Sequence, residues 1–468
     1  MERHLLIESY PWETRAAVLE DDQLVELLCE DEDDRVGNIY KGRIRDVLPG
    51  LSCAFIDIGY EKTSFLYVGD LRGATPDRNI ADLLKRGQEI LVQVKKEEVT
   101  GKGARVTTNI TIPGHYLVLL PFQKDVSVSR KIKDSQLREE LREFLRANKP
   151  EKFGLIVRTA AANAPWQVLK EEMELLIETW ETIRRKEASG KAPSLVYRDL
   201  DVVQRLLRDY ADSATRMITV NNAETAQLVK EILGADPIGA AIPVKIIGTP
   251  FSYFGLEGDL TRLLRDRVWL KSGGFIIIEE TEAMTVVDVN SGKYTGKREF
   301  EETVLKINLE AAAEIPRQLR LRGIGGIILI DFIDMKEKSH RDDVIQLLSA
   351  ALAKDKTHTR VLGITKLGLV EMTRKKSRAG LAAMVSEDCQ ACHGRGTLRS
   401  PRNLWSELLR RLMETAQREG PEVTVEVHSR YFVVIPDVET HLAHVRAETG
   451  KQFNFIANDE VEDYRILP

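Results

Sequence analysis

The sequence predicts a multidomain protein of the α/β class. At 468 residues the chain is too long to fold around a single hydrophobic core, so we expect several domains. Residues 35–110 alternate apolar and polar side chains between Gly and Asp turns, a pattern typical of short strands. Residues 200–233 follow the order helix, strand, helix, which is the order of an α/β unit.

The N-terminal part is expected to be mostly strand. Strands are predicted at 4–9 and 15–20, on either side of a Pro-Trp turn, and an acidic run follows at 30–34. Between 36 and 110, five short strands with Gly breaks fit a small closed barrel of the oligonucleotide-binding type.

The middle of the chain is expected to be mainly helical. The apolar spacing and the β-branched runs predict helices at 134–148, 166–186, 200–209 and 223–233, strands at 153–159 and 216–220, and a linker at 188–193.

The last part of the chain is predicted to mix strands and helices. The elements expected are a hairpin of strands at 275–280 and 284–289, helices at 299–321 and 342–354, a flexible Gly-Arg-Gly segment at 394–396, and a small α/β region after about 402. Because proline lacks an N–H and clashes with the preceding turn, we expect Pro316 to kink or break its helix near Ile315.

Two apolar, β-branched runs, at 285–292 and 326–334, end in carboxylates. A buried carboxylate is costly unless it is paired or binds a cation. If the two strands lie side by side, Asp288 and Asp331 come together and repel each other unless a divalent ion lies between them. Their hard oxygen ligands suit Mg²⁺ or Mn²⁺. The alternative interpretation is that these aspartates only form turns at strand ends.

Phe55, Phe65 and Tyr67 are the candidates for stacking bases on the predicted barrel, and Lys102 is the candidate for contacting phosphate. Alternatively, the two phenylalanines belong to the barrel core. Phe55 shares its predicted face with Cys53 and Asp57, which is not a plainly buried set.

A second candidate anion site follows the strand at 153–159. That strand presents Arg158 and Thr159 at its end, where a guanidinium, a hydroxyl and free backbone N–H groups can hold a phosphate. The alternative is a purely structural arginine.

Cys389 and Cys392 form a single CxxC pair. A structural zinc site usually needs four ligands, so one solution is a zinc ion shared by two chains that donate two thiolates each. His393 could ligate only in a cramped geometry, and Cys29 and Cys53 are expected to be small buried residues. The alternatives are a redox pair, which would need a strand-to-helix context, and two surface cysteines.

Composition restricts the class of protein further. The 68 basic and 73 acidic residues give a net charge of −5, which neither supports nor excludes a nucleic-acid partner. The basic clusters, such as Arg317, Arg320 and Arg322, are interpreted as solvated faces when each is taken alone. We expect no signal peptide, no membrane span and no disulfide framework, and therefore a cytoplasmic protein.

Taken together, these motifs resemble the ribonuclease E/G family over nearly the whole chain. The most specific motifs are DVNSG at 288–292, NLEAA at 308–312, RQLRLR at 317–322 and GGIILIDFID at 325–334. The resemblance implies a Mg²⁺-dependent endoribonuclease that hydrolyses single-stranded, A/U-rich RNA, leaves a 5′-monophosphate, and is stimulated by a 5′-monophosphate on its substrate.

The resemblance also implies a domain layout. The domains it implies are an RNase H-like subdomain (1–34 and 201–265), an inserted S1 barrel (35–110), a 5′-sensor subdomain (111–200), a DNase I-like catalytic subdomain (266–385), a zinc link (386–400) and a small domain (401–468).

The family's functional residues carry over by motif position. The resemblance assigns Asp288 and Asp331 to the catalytic Mg²⁺, Asn290 to orienting that site, Phe55, Phe65 and Lys102 to RNA binding, Arg158, Thr159, Val118 and Arg360 to the 5′-phosphate pocket, and Cys389 and Cys392 to a Zn²⁺ shared between chains. The sequence departs from the family at Gln390, where proline is frequent, but the ligand spacing is intact.

Several finer expectations complete the hypothesis. With two clear carboxylates we favour one protein-bound metal, and Asp334 is expected to point away from Asp331 if the strand continues, or else to orient a ligand. The chain shows no long Arg- and Pro-rich degradosome tail, which favours a ribonuclease G-like member that processes rRNA precursors and takes part in mRNA decay as a homodimer or homotetramer. The rival hypotheses are a non-catalytic S1-type RNA-binding protein associated with ribosomes and a metal-dependent DNA nuclease or phosphatase.

Overall fold

The structure is a computed structural model that divides into two compact units, Met1–Val385 and Ser386–Pro468. The residues that it describes are 2–30, 35–73, 79–96, 103–234, 236–292, 300–376, 380–387, 389–392, 394–417, 420–432 and 438–467. None of the helices within these ranges combines the length and the apolar character that crossing a membrane requires.

The first unit begins with elements that are mainly strands. They are β1 (Arg3–Tyr10), β2 (Glu13–Glu20), β3 (Gln23–Cys29), β4 (Ile39–Leu48), β5 (Cys53–Asp57), β6 (Ser64–Tyr67), α1 (Ile80–Leu83), β7 (Glu89–Lys96) and β8 (Arg105–Thr107).

Helices dominate the next stretch, as predicted. Its elements are β9 (Ile112–Pro113), β10 (Leu117–Leu120), β11 (Val126–Val128), α2 (Ser135–Asn148), β12 (Gly154–Val157), α3 (Trp166–Ser189), β13 (Ser194–Tyr197), α4 (Val202–Tyr210), β14 (Thr215–Val220), α5 (Ala223–Leu233), α6 (Pro237–Ala240), β15 (Val244–Ile246), α7 (Pro250–Tyr253) and α8 (Glu257–Leu263).

Strands and helices alternate in the rest of the chain. The first unit ends with β16 (Arg267–Trp269), β17 (Phe275–Glu280), β18 (Met284–Asn290), α9 (Phe300–Leu321), β19 (Gly326–Asp331), α10 (Lys338–Leu352), β20 (Thr359–Ile364), β21 (Val370–Arg374) and α11 (Leu381–Val385). The second unit contains α12 (Pro401–Met413), β22 (Glu422–Val427), α13 (Val438–Thr449), β23 (Gln452–Ala457) and β24 (Tyr464–Ile466).

One sheet joins the N-terminus to a distant part of the chain. Its strand order is β15-β14-β1-β2-β3, with β1 parallel to β14 and antiparallel to β2. Helices α4 and α5 pack on it around Leu206, Val229 and Ile218. The chain between β3 and α4 is therefore an insertion in this sheet; the RNase H-like subdomain and its boundaries stay a prediction.

The predicted closed barrel is confirmed. Strands β4, β5, β6, β8 and β7 are paired in that order, and β4 also pairs with β7, which closes the ring. Inward side chains such as Ile44, Ile56, Leu66 and Val92 form its core. Strand β13 adds to the outside of β4.

A third sheet, β11-β12-β10-β9, lies against α2 and α3. Helix α2 begins where Asp134 caps the backbone N–H groups of Gln136 and Leu137. Helix α3 is anchored to the sheet because Glu172 accepts hydrogen bonds from the backbone of His115, Tyr116 and Leu117.

The fourth sheet, which we call the catalytic sheet, has the order β16-β17-β18-β19-β21-β20. Alternate residues such as Val287, Val289, Ile328 and Ile330 face helices α9 and α10 and are buried with them.

Helix α9 continues through Pro316 as one element, so Pro316 does not break it, and the predicted kink stays a prediction. The hydrogen bond lost at proline is outweighed by burial of Ala312, Ile315 and Leu319, all 0% exposed, against the catalytic sheet.

The second unit is the predicted small α/β region. Strand β22 pairs parallel to β23 and antiparallel to β24. Helices α12 and α13 cover this sheet through Leu404, Leu408, Val425 and Leu442.

The basic cluster of the RQLRLR motif is structural rather than a solvated face. Arg320 is 5% exposed and lies within 3.3 Å of Glu20, and Arg317 donates to the carbonyl of Leu24. Arg322 is also buried and donates to the carbonyl of Arg265. These arginines tie α9 to the first sheet and to the segment before β16.

Candidate active site

The two candidate catalytic carboxylates lie side by side. Strands β18 and β19 are parallel, and Asp288 pairs directly with Asp331 at their carboxyl ends. Neighbouring strands lie about 4.8 Å apart, so both side chains project from adjacent positions on the same face. The hydrophobic runs thus form strands as predicted, and their matched register brings the two aspartates together.

The two carboxylates are like charges on neighbouring strands. Partial burial and the negative charges of Asp288 and Asp334 together raise the pKa of Asp331 above its ordinary value. Asn290 donates from Nδ2 to Oδ2 of Asp288 at 2.7 Å, which holds that carboxylate in place and leaves the amide oxygen of Asn290 as a further acceptor.

This donor set fits Mg²⁺. The ion is commonly held by one or two carboxylates together with water and substrate phosphate, rather than by a full cage of protein ligands. The described residues contain no group of three or more His, Cys, Asp or Glu side chains arranged to hold a metal. The site therefore offers a carboxylate pair of the kind that Mg²⁺ accepts.

The expectation for Asp334 depended on the strand continuing, and it does not continue. Strand β19 ends at Asp331, and Asp334 lies in the loop that follows, close enough for its charge to act on Asp331. Asn308 of α9 fixes this loop: its Nδ2 donates to the carbonyl of Ile333 at 2.8 Å, and its Oδ1 accepts from the N–H of Ile333 at 3.1 Å.

Asn308 is a positioning residue to which the sequence interpretation gave no role. It is 0% exposed, and a buried amide must find partners for its donors and acceptor. The available signal was a polar residue on the apolar face of a predicted helix. Glu310, two residues further along α9, accepts from the backbone N–H of Ser272 at 2.8 Å and so fixes the turn between β16 and β17.

On the barrel, Phe55 and Phe65 are cross-strand neighbours on β5 and β6 with ring centres 6.1 Å apart. Both are half-buried, and neither belongs to the barrel core, whose members alternate with them. Tyr67 is 42% exposed, and Arg105 lies 5.8 Å from its ring centre. The predicted Lys102 lies outside the described residues.

Arg158 and Thr159 lie where β12 ends, as predicted, but the charge of Arg158 is already engaged. Its guanidinium contacts Oδ1 of Asp209 at 2.6 Å and also donates to the carbonyl of Gly114. Burial alone would raise the pKa of Asp209, but the hydrogen bonds and charges of Arg208 and Arg158 outweigh it and hold that pKa below its ordinary value. The hydroxyl of Thr159 lies 3.0 Å from that of Ser129.

Val118 and Arg360 come from different sheets. Val118 is half-buried on β10, where it pairs with Ile156 of β12. It lies two residues along the chain from the position opposite Arg158 in the same register. Arg360 is exposed on β20 of the catalytic sheet. The loop that leads to β20 reaches the third sheet through Lys131, which donates to the carbonyl of Asp355.

The CxxC pair lies in a turn before α12, not in the strand-to-helix context of a redox site. The exposed Cys389 accepts hydrogen bonds from the backbone of Cys392 and Ala391, and these lower its thiol pKa. Cys392 is 8% exposed. As expected, Cys53 is fully buried; Cys29 is only partly buried, and His393 lies outside the described residues.

Comparisons with known proteins point to one family. Residues 111–377 match the model of the Ribonuclease E/G family. The chain is 36% identical to Ribonuclease G of Escherichia coli (strain K12), an alignment that covers 97% of this chain and 96% of the relative. It is 37% identical to Ribonuclease G of Haemophilus influenzae over 96% of this chain and 97% of that relative.

A longer relative matches over a smaller share of its own length. The chain is 40% identical to Ribonuclease E of Nostoc sp. over 93% of this chain and 63% of that relative. The predicted membership is therefore confirmed: the chain belongs to the ribonuclease E/G family as a ribonuclease G-like member and is an endoribonuclease of that type.

Proposed function

We propose that the protein is a Mg²⁺-dependent endoribonuclease that hydrolyses single-stranded, A/U-rich RNA during rRNA processing and mRNA decay. The observation that carries the catalytic part is the direct pairing of Asp288 with Asp331 at the ends of two parallel strands. A protein that only binds RNA gains nothing from two like charges in register, since they oppose each other.

Asp288 and Asp331 would hold the metal, with Asn290 orienting Asp288 through the 2.7 Å hydrogen bond. When bound, Mg²⁺ supplies charge neutralisation at the scissile phosphate and lowers the pKa of an attacking water. Asn308 keeps the loop carrying Asp334 beside Asp331, and the negative charge of Asp334 strengthens the attraction of the site for a cation.

The barrel is proposed as the RNA-binding surface. Half-buried Phe55 and Phe65 and exposed Tyr67 present aromatic rings on the outside of β5 and β6, where single-stranded bases can stack. Lys102 is kept as a proposed phosphate contact from its motif position alone.

We further propose that Arg158, Thr159, Val118 and Arg360 form the 5′-monophosphate pocket. Because Arg158 is paired with Asp209, a phosphate must share or displace that carboxylate. The subdomain boundaries stated above are proposed with this assignment, with 111–200 as the sensor.

The zinc link is proposed for Cys389 and Cys392, with one Zn²⁺ shared by two chains of a homodimer or homotetramer. The lowered pKa of Cys389 favours the thiolate that zinc requires. Cys389→Ala should remove zinc and reduce the molar mass measured by light scattering, whereas unchanged zinc content and mass would refute the link.

The test of catalysis uses a 5′-monophosphorylated, A/U-rich single-stranded RNA and its 5′-hydroxyl counterpart, each with Mg²⁺ and with EDTA. We expect internal cuts only with Mg²⁺, faster on the monophosphate, and none from Asp288→Asn although that variant still binds RNA. Asp342→Asn, which alters an exposed aspartate of α10, is the matched control and should cleave normally.

Two results would change the proposal. Cleavage that persists in EDTA, or in the Asp288→Asn variant, would remove the metal assignment. Binding without any cleavage by the unaltered protein would favour the alternative function, a non-catalytic S1-type RNA-binding protein associated with ribosomes, for which the exposed aromatic face of the barrel is the supporting observation.

A further inference from the structure

A cluster of two aromatic rings and one guanidinium lies at the edge of the catalytic sheet. It consists of Arg267 and Trp269 of β16 and Phe275 of β17, and we call it the aromatic shelf. The ring centres of Trp269 and Phe275 are 5.3 Å apart, and the guanidinium carbon of Arg267 lies 4.4 Å from the Phe275 ring centre. Trp269 is 64% exposed, which is unusual for so large an apolar side chain.

Strand register places the shelf on the same face as the carboxylates. Trp269 pairs with Phe275, which in turn pairs with Asn290. Two residues along the strands, on the same face, Arg267 pairs with Ile277, which in turn pairs with Asp288. Directly paired residues project to the same side of a sheet. Val268 and Ile276 alternate with them and pack instead on the hydrophobic core under α9.

The separation suits a neighbouring nucleotide. Adjacent strands lie about 4.8 Å apart, so Trp269 is two strand spacings, about 10 Å, from the strand that carries Asp288 and Asn290. A base held there would belong to the same short stretch of RNA as a phosphate bound at the carboxylates.

The β16–β17 turn beside the shelf lies against the segment that follows Asp288. Glu310 of α9 holds the β16–β17 turn through the N–H of Ser272. Gly292, with φ +61°, approaches this turn so closely that a Cβ there would lie 2.6 Å from the carbonyl oxygen of Gly273. A Cβ on Gly274 would similarly lie 2.9 Å from the carbonyl oxygen of Asn290.

The chemistry of the shelf is that of a nucleic-acid contact. Exposed aromatic rings stack bases, and arginine adds a cation–π contact or binds phosphate. Among the residues that the structure describes, Arg267 makes no ion pair with a carboxylate, so its charge is available to an anion.

We propose that the aromatic shelf holds a nucleobase of the single-stranded RNA next to the scissile phosphate, stacked on Trp269, with Arg267 contacting an adjacent phosphate. This inference rests on the proposed ribonuclease function and adds a positioning site to it. A second copy of this chain could also cover an exposed tryptophan, so the test separates the two occupants.

The experiment measures the affinity for a fluorescently labelled A/U-rich single-stranded RNA in EDTA, together with cleavage in Mg²⁺. Trp269→Ala should weaken binding and raise KM about 5- to 100-fold, in line with the loss of one stacked base, with a smaller change in kcat. Trp269→Phe should restore affinity to within about twofold, whereas Trp269→Leu, which is apolar but not aromatic, should not.

The matched control is Trp12→Ala. Trp12 is 77% exposed and stacked on Tyr10, but it lies in the turn between β1 and β2 of the first sheet. The Trp12→Ala variant should therefore leave RNA affinity unchanged. Arg267→Gln is an independent variant: it should lower the slope of log Kd against log salt by about 0.7, the value for one phosphate contact to a single strand.

Each outcome decides the proposal. Unchanged affinity in both Trp269→Ala and Arg267→Gln would overturn it, and so would RNA affinity restored by Trp269→Leu. A fall in the molar mass of Trp269→Ala would also overturn it, because the shelf would then be a subunit contact. If the unaltered protein binds RNA but never cleaves it, the catalytic proposal fails while the binding series still tests the shelf.

Discussion

The carboxylate site and the proposed 5′-phosphate pocket differ in how their charges are balanced. At the first, Asp288 and Asp331 are in register, and among the residues that the structure describes neither forms an ion pair; burial and the neighbouring negative charges raise the pKa of Asp331. At the second, Arg158 already has a partner, because it shares the carboxylate of Asp209 with Arg208. The comparison teaches that a charge without a partner marks the ligand a site requires, whereas a charge with a partner marks a site where the ligand must compete. We call the first site unbalanced and the second site partnered.

Replacing Asp331 tests the unbalanced site and should have the largest effect. We expect Asp331→Asn to lower the cleavage rate about a thousandfold, equivalent to about 4 kcal/mol, because a neutral amide removes half of the charge that attracts the metal. RNA affinity measured in EDTA should be retained. Loss of RNA binding with cleavage retained would contradict the metal assignment.

Asn308→Ala should have the next largest effect, because it acts on the same site through its supporting loop. Losing both hydrogen bonds leaves the backbone N–H and carbonyl of half-buried Ile333 without these partners, so we expect stability to fall by about 1–3 kcal/mol. Thermal denaturation measures this change, and kcat should fall further than that of a surface control, Asn454→Ala in the second unit. Normal kcat in a folded variant would show that the loop need not be fixed.

Arg158→Ala tests the partnered site. We expect the preference for 5′-monophosphorylated over 5′-hydroxyl RNA to fall about tenfold, a typical value for one charge-assisted contact, while cleavage of the hydroxyl substrate stays unchanged. The ratio of kcat/KM for the two substrates measures it. An unchanged ratio would mean that this arginine is structural, the alternative left open by the sequence.

Asp209→Asn sharpens the comparison and should have the smallest effect. Freeing Arg158 from its carboxylate should raise the preference for a 5′-monophosphate a few fold. The pKa of Asp209 is held below its ordinary value, so its ion pairs stabilise the fold fully at pH values above the ordinary pKa. This contribution to stability is lost as the pH falls through the lowered pKa. The variant should therefore be less stable near neutral pH and show a weaker loss of stability on acidification.

Much of the fold could be predicted from local patterns. The amphipathic spacing at 223–233 corresponds to helix α5 over Ala223–Leu233, and the apolar runs before Asp288 and Asp331 are strands β18 and β19. These predictions succeeded because periodicity reports directly which face of an element is buried. Of the predicted kink or break at Pro316, the break does not occur, because tertiary burial outweighed a local preference.

The site was predicted unevenly for a related reason. Asp288 and Asp331 could be named as candidates because each lies at the end of an apolar run that predicts a strand, whereas Asn290 was named only from the resemblance to the family. Asn308 and Asp209 were missed because their roles depend on partners far along the chain, Ile333 and Arg158.

Local sequence was thus sufficient for most of the elements, for the barrel and for naming Asp288 and Asp331 as candidates, because these follow from residue spacing and type. Tertiary packing decided the charge state of each site, since it alone brings Asp288 beside Asp331 and Asp209 beside Arg158. Coulomb interactions depend on the distance between two charges in space and on their burial. The separation along the chain, 43 residues between Asp288 and Asp331 and 51 residues between Arg158 and Asp209, reveals neither.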